Sequence, residues 1–137
     1  MANESPLGAT AAAVYAALNV ASMTAIATGG VYDFVPQGTA FPYIWIRLSS
    51  RSDDYLGGHA GFQMRLAVHG FSAYEGGKEV REMMEEARQL LRHAIPSITG
   101  FTSLLIEHEG TVERPYEEED DIRVSHSIAT FLVTVEE

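Results

Sequence analysis

A change of hydrophobic period between residues 62 and 95 constrains the fold more than any other feature of the chain. From residue 62 to residue 71 apolar and polar side chains alternate, which is the period of a half-buried strand. After the turn at Gly76-Gly77 the apolar residues recur every three or four positions, which indicates an amphipathic helix that Pro96 ends. This stripe consists of Val80, Met83, Met84, Ala87, Leu90, Leu91, Ala94 and Ile95. Each element has one apolar face to bury, so the sequence predicts a helix that lies on a sheet.

The rest of the chain supplies one alanine-rich helix and four extended segments. Residues 11–18 predict the helix, with Thr10 as its N-cap and a short second turn that reaches Ala27. β-Branched and aromatic residues predict extended segments at 31–35, 41–48, 103–109 and 122–135. This order predicts an α+β fold with a mainly antiparallel (mixed) sheet and helices packed on one face. We expect a single domain that spans the whole 137-residue chain, with residues 1–8 flexible.

Two of the predicted strands and two of the predicted connections are unusual. The strand at 41–48 is apolar on both faces, so it is either central in the sheet or covered by a neighbouring subunit. The strand at 122–135 is longer than most, so part of it either projects from the domain or pairs with a neighbour. Residues 49–61 predict a long mobile loop, and residues 110–121 predict a polar, acidic connection.

Negative charge is concentrated late in the chain. The net charge is −10, and between Glu107 and Asp121 eight acidic residues accompany one base, Arg114. A surface of this kind repels phosphates, so tight binding to nucleic acid is disfavoured. The consecutive acids from Glu117 to Asp121 lack the glycine and the alternating spacing of a calcium loop. This pattern favours a solvated, self-repelling loop, with a contact to a cation or a basic partner as the alternative.

Signatures of catalysis and of cofactor binding are not found in the sequence. No two of the five histidines have the helical spacing of a zinc motif, there is no cysteine, and no Gly-x-Ser-x-Gly elbow occurs. Gly57-Gly58 and Gly76-Gly77 lack the rest of a phosphate loop. Trp45 with the pair Tyr32 and Tyr43 predicts core or interface packing, with the lining of a pocket as the alternative. We therefore assign no catalytic, cofactor-binding or metal-binding residue, and we expect no enzyme and no cofactor.

The sequence also limits where the protein is expected. No run of about 18 apolar residues is present, so no transmembrane span is expected. The N-terminus lacks the basic region and compact apolar core of a signal peptide. The lack of cysteine fits a reducing compartment.

Taken in order, the segments resemble one known family. The segments that carry the resemblance are Val31-Tyr32-Asp33-Phe34-Val35-Pro36-Gln37-Gly38, Phe41-Pro42-Tyr43-Ile44-Trp45-Ile46, the strand end Val68-His69-Gly70-Phe71-Ser72, and the helix from Lys78 to His93 after its glycine turn. Preceded by a small-residue helix, they resemble the tail terminator (tail completion) proteins of long-tailed bacteriophages and of phage-like particles such as gene transfer agents. The similarity runs from about Thr10 to Val135.

The resemblance implies a structural virion protein with a tail-terminator-like fold. It implies a homo-oligomer, a hexameric ring that caps the tail tube, ends tail growth and joins the tail to the head. The implied partners are the tail tube protein and a head-completion or connector protein, and DNA passes through the ring without specific binding. The implied location is the virion tail at the head–tail junction, after assembly in the host cytoplasm, with no membrane contact.

We select ten residues as candidates for subunit interfaces or for the lumen of such a ring. They lie in the predicted loop and in the acidic connection, and they are Arg51, Asp53, Asp54, Tyr55, His59, Glu117, Glu118, Glu119, Asp120 and Asp121. An acidic lumen lets DNA slide without adhesion because like charges repel. The alternative functions are another head–tail connector (neck or adaptor) component, and a small acidic α+β enzyme that uses a histidine and carboxylates.

Overall fold

A computed structural model describes residues 7–53, 61–74, 77–93, 103–119 and 122–136. In chain order the elements are α1 (Leu7–Leu18), α2 (Ala21–Thr24), β1 (Val31–Tyr32), β2 (Tyr43–Asp53), β3 (Gly61–Ser72), α3 (Lys78–His93), β4 (Ser103–Glu119) and β5 (Ile122–Glu136). These elements confirm the predicted α+β class.

The five strands form one mixed sheet in the order β1-β2-β3-β5-β4. Only β1 pairs in parallel, through Val31 with Ile44 and Tyr32 with Trp45, and the other three neighbouring pairs are antiparallel. β5 lies between β3 and β4 along most of its length, so the last strand in the sequence is central in the sheet. The predicted mainly antiparallel sheet is confirmed, and β4 is its outer strand on one side.

The start of the sheet depends on a close approach of two backbone segments. The N–H of Gly29 donates to the carbonyl of Pro42 at 2.7 Å, and the N–H of Ile44 donates to the carbonyl of Gly30 at 2.9 Å. A Cβ on Gly29 would lie 1.8 Å from the carbonyl oxygen of Ala40, so only glycine fits there. These contacts place the short β1 beside the beginning of β2.

The core lies between the helices and one face of the sheet. The stripe predicted on α3 is buried there, with Val80, Met83, Met84, Ala87 and Leu91 at most 3% exposed. The opposing sheet residues come from alternate positions of the strands and are Ile44, Ile46, Met64, Leu66, Val68, Ala129, Phe131, Val133 and Val135. Val14 and Leu18 of α1 join the same cluster. Burial of each large side chain contributes about 1.5–3 kcal/mol, so this face holds the fold together and confirms the helix-on-sheet prediction.

The first helix begins earlier than predicted. Leu7 and Gly8, expected in a flexible terminus, are in the first turn of α1, because Leu7 packs against the core and this burial fixes the turn. Thr10 is buried inside the helix, so the prediction that it is the N-cap is wrong.

Two segments predicted as connections are β-strand over part of their length. The predicted loop begins with residues 49–53, which continue β2 and pair with β3, where Ser49 lies opposite Arg65 and Asp53 opposite Phe62. The predicted acidic connection is strand up to Glu119, paired throughout with β5 apart from two register shifts. Both predictions were wrong for the same reason: a neighbouring strand that satisfies the backbone hydrogen bonds overrides the low β-propensity of serine and glutamate.

Candidate assembly surfaces

A row of stacked rings crosses the face of the sheet opposite the helices, and we call it the ring row. Tyr43 stacks on Phe71 at 5.0 Å between centroids, and Phe71 stacks on His126 at 4.1 Å. His69 lies 5.1 Å from His126 and 4.9 Å from Trp45. The strand register produces the row, because Tyr43 is opposite Phe71 and Phe71 is opposite His126. Aromatic pairs of this geometry stabilise a fold by about 0.5–1.5 kcal/mol each beyond their buried area.

The two histidines of the ring row contact each other directly. The Nδ1 of His69 and the Nε2 of His126 are 2.9 Å apart, so one ring donates and the other accepts. Burial lowers the pKa of His69 to about 4, and His126, Arg47 and Arg114 nearby act in the same direction. His69 is therefore neutral at physiological pH, and it meets His126 through a hydrogen bond between ring nitrogens as well as through ring stacking.

The described residues of the ring row do not assemble a metal site. Across ranges 7–53, 61–74, 77–93, 103–119 and 122–136, no group of three histidine or carboxylate side chains could hold a metal ion. Arg47 and Arg114, which bear on His69, also make the site unfavourable for a cation. The outermost ring, Trp45, carries the guanidinium of Arg47 at 5.2 Å from its centroid. This arrangement suits packing and recognition.

Glu117, Glu118 and Glu119, the described part of the acidic run, lie at the end of the paired strands β4 and β5, which we call the acidic hairpin. β3 ends opposite Ser125, whereas β4 and β5 continue to pair beyond that point. The last pairs are Glu117 with Val124, Glu118 with Arg123, and Glu119 with Ile122. β5 thus runs three residue pairs past the end of β3, where Val124 is only 1% exposed, and whether this part projects from the domain or pairs with a neighbour stays a prediction.

The outer edge of β2 lies beside a cavity of about 390 Å³. Apolar residues of α1 and of the strands line it, among them Leu7, Val14, Ile46 and Leu48. β1 covers only Ile44 and Trp45 of this edge, and from Ile46 onward no described strand pairs with it. Of the two alternatives predicted for this strand, the central position holds for its first half, between β1 and β3. Its second half lies at the border of the described sheet, where coverage by a neighbouring subunit stays a prediction.

Ion pairs connect α3 to the outer strand and to itself. The Nε of Arg81 donates to Oε1 of Glu113 at 3.0 Å, with both side chains well exposed. Arg88 donates to Glu85 one turn earlier, and these hydrogen bonds lower the pKa of the Glu85 carboxyl. Exposed pairs of this kind contribute little to stability, so they orient surface side chains more than they hold the fold.

The ten candidate residues fall into two groups that the described sheet does not bring together. Arg51 and Asp53 belong to β2 at one border, and Glu117, Glu118 and Glu119 belong to β4 at the other. Asp54, Tyr55, His59, Asp120 and Asp121 lie outside the described residues.

Sequence reasoning missed the ring row. His69 and His126 are 57 residues apart, so no local spacing indicates their contact. The available signal was that aromatic residues and histidines occupy alternate positions of three predicted strands. Without the strand order that signal does not say which rings meet.

Both the sequence and the fold of the chain resemble those of known proteins. The model of the family described as "Tail completion protein gp17" matches residues 12–136. A chain from the solved "Virion of native gene transfer agent (GTA) particle" has a similar fold, with a TM-score of 0.70 and 20% identity over 95% of this chain and 96% of that chain. Comparison with curated proteins finds no match. None of the described helices is long and apolar enough to span a membrane.

The family match runs from within α1 to the end of β5, so it includes α3 and all five described strands. The structural likeness shows that the α+β fold is shared with a virion component. The chain therefore belongs to the tail completion protein gp17 family and is a structural protein of the phage tail, located in the virion.

Proposed function

We propose that the protein forms a hexameric ring that caps the tail tube, ends tail growth and provides the surface to which the head is joined. The family match over residues 12–136 carries this proposal. In this role the ring contacts the tail tube protein on one side and a head-completion or connector protein on the other. It sits at the head–tail junction after assembly in the host cytoplasm.

The acidic hairpin supports a role in the lumen of the ring. Glu117, Glu118 and Glu119 lie on paired strands beyond the end of β3, which places three consecutive carboxylates at one end of the sheet. Like charge keeps DNA from adhering while it passes. We assign the run from Glu117 to Asp121 to the lumen, and residues 49–61 to contacts with neighbouring subunits.

Electron microscopy of tails made with and without the protein tests the proposed function. We expect tubes of uncontrolled, excessive length in its absence, because nothing then caps the growing end. Tails of normal length that lack heads would instead indicate a neck or adaptor component. Tails of normal length that attach heads normally would contradict both functions.

Reversing the charge of the acidic hairpin tests the lumen assignment separately. Replacing Glu117, Glu118 and Glu119 by lysine should leave tail length unchanged and reduce DNA delivery by about tenfold or more, because each lysine adds a phosphate contact. A matched control replaces Glu82, Glu85 and Glu86, which lie on α3, by lysine. Equal delivery by both triple variants would contradict a lumen position.

The enzyme alternative has no support in the described residues. The family is one of structural virion proteins, which argues against an enzyme. The only contact between histidines described here packs among aromatic rings, and the nearest charged groups acting on His69 are arginines. A histidine-and-carboxylate centre needs an acid at hydrogen-bond distance from the histidine.

A further inference from the structure

Two borders of the described sheet expose backbone that no described strand pairs with. On one side β4 is the outer strand over Ser103–Glu119. On the other side β1 pairs only with Ile44 and Trp45, which leaves β2 without a described partner from Ile46 onward. Unpaired strand edges are sites where another chain can add a strand.

The hydrogen bonding of Ile44 determines which backbone groups of β2 point outward. Its N–H donates to Gly30 on the side away from β3. Backbone groups alternate in direction along a strand, so the N–H and carbonyl groups of Ile46 and Leu48 also point outward. The backbone N–H and carbonyl of Arg47 consequently point inward, toward its partner Ala67 on β3.

The same alternation can be followed across the sheet to the other border. The N–H and carbonyl of Leu66, the residue before Ala67, point toward β5, where Phe131 lies opposite. The N–H and carbonyl of Leu132, the residue after Phe131, then point toward β4, where Glu107 lies opposite. Ile106, next to Glu107, therefore points its N–H and carbonyl outward from the far border.

The outward residues of both borders lie on the same face of the sheet. Leu48 and Ile106 are both on the helix-covered side, in register with Leu66 and Val133 of the core. Strand directions also match, because β2, β3, β5 and β4 are successively antiparallel. A copy related by rotation thus presents β2 antiparallel to β4, with the helices of both copies on one side.

Charge complements this backbone match. β4 carries six acidic residues and one arginine, whereas β2 carries two arginines and one aspartate. Pairing of β4 with a second β4 would place acids against acids, which is unfavourable. Placing Leu48 opposite Ile106 sets Arg47 opposite Glu107. It also brings Ile106 beside Leu48, which lines the cavity at this border.

We propose that β4 of one subunit adds to β2 of the next in antiparallel register, with Arg47 opposite Glu107, Leu48 opposite Ile106 and Ser49 opposite Leu105. The partner is a second copy of this chain, and the inference rests on the proposed ring. Because the two borders differ, the contact is head-to-tail and is repeated at every subunit, which closes a ring when the rotation fits.

Matched lysine substitutions on β4 test the register. Leu105 and Val112 lie on the same face of the same strand and are 55% and 63% exposed. Leu105→Lys sets a positive charge diagonally across from Arg47 in the proposed contact, where like charges repel, and should lower incorporation into tail particles by about tenfold or more. Val112→Lys lies beyond the contact and should stay within about twofold of the wild type. Equal effects of the two substitutions would overturn the register.

A cross-link in assembled particles tests the pairing directly. The chain has no cysteine, so Arg47→Cys with Glu107→Cys introduces the only thiols. Opposed Cα atoms about 4.5–5.5 Å apart are within reach of a disulfide. Oxidised particles should yield linked multimers up to a closed ring, while either single variant yields monomers.

The outcomes separate this inference from the proposed function. Particles with normal tail length and no multimers overturn the strand pairing and leave the ring in place. Cross-linked dimers from Glu107→Cys alone show that β4 pairs with itself and also overturn it. Absence of the protein from terminated tails removes the proposed function. If the double cysteine variant fails to assemble, restoration of assembly by Arg47→Glu with Glu107→Arg, relative to either single reversal, supports the pairing, and no restoration overturns it.

Discussion

The two faces of the sheet are built from the same strands and differ in composition and burial. The helix-covered face is aliphatic and fully buried, with Leu66 and Phe131 each 1% exposed. The opposite face carries the ring row and the arginines beside it, and the borders carry exposed side chains such as Leu105 at 55%. Most of the buried apolar surface therefore lies on the first face, the stacked rings add a smaller contribution on the second, and assembly is expected to depend on the borders. Substitutions placed on each side can test this division.

The largest effect on the free energy of unfolding is expected when a leucine is replaced by alanine on the core face, compared with the same replacement at the border of the sheet. Leu66→Ala removes packed core atoms and should lower the free energy of unfolding by about 2–5 kcal/mol. Leu105→Ala removes a mostly exposed side chain and should change it by less than about 0.5 kcal/mol. Urea denaturation of the isolated chain measures both. Similar costs at the two positions would remove the distinction between core face and border.

A smaller effect is expected from adding one methyl group. A Cβ on Gly70 would lie 2.7 Å from Cε of Met84 and 3.3 Å from Cε of Met83. These are the flexible ends of methionines, so Gly70→Ala should cost about 1–2 kcal/mol at the low end of overpacking. Gly110 on β4 has nothing within 4 Å, so Gly110→Ala should be neutral or slightly stabilising. Denaturation midpoints compare the two, and a costly Gly110→Ala would show that the border is more tightly packed than described.

A further effect is confined to acidic pH and comes from the ring row. The pKa of His69 is lowered from 6.5 to about 4, so between these values the unfolded chain binds more protons than the folded one. Stability should therefore rise with pH across this window and lose this dependence above it. His69→Gln should flatten the rise, which thermal melts at pH 4.5, 5.5 and 7 would detect. An unchanged slope would mean that His69 is protonated as readily in the fold as in the unfolded chain.

The smallest effect is expected at the exposed ion pair between α3 and β4. The side chains of Arg81 and Glu113 are 68% and 44% exposed. Water and salt screen such a pair, so Arg81→Ala should lower the free energy of unfolding by about 0.5 kcal/mol or less. A double-mutant cycle with Glu113→Ala isolates the coupling. A coupling near the cost of Leu66→Ala would contradict the assignment of stability to the core face.

The local pattern was enough to predict most elements and their faces. Alternation in residues 62–71 and the stripe on Lys78–His93 identified the strand, the helix and the side that each buries, as the structure confirms. These features follow from the periods 2 and 3.6, which neighbouring residues set among themselves. The predicted ends were less accurate, since Ser49–Asp53 and Gly110–Glu119 gain their strand structure from partners far away in the sequence.

The amino-acid sequence by itself thus determined a helix lying on a sheet, the burial of Met83 and Leu91, and a strongly acidic late segment. Only the tertiary structure decided that β5 lies between β3 and β4, that His69 meets His126, and that the second half of β2 and β4 border the described sheet. Strand order and register depend on pairing between distant segments, and no short-range period encodes which segments pair.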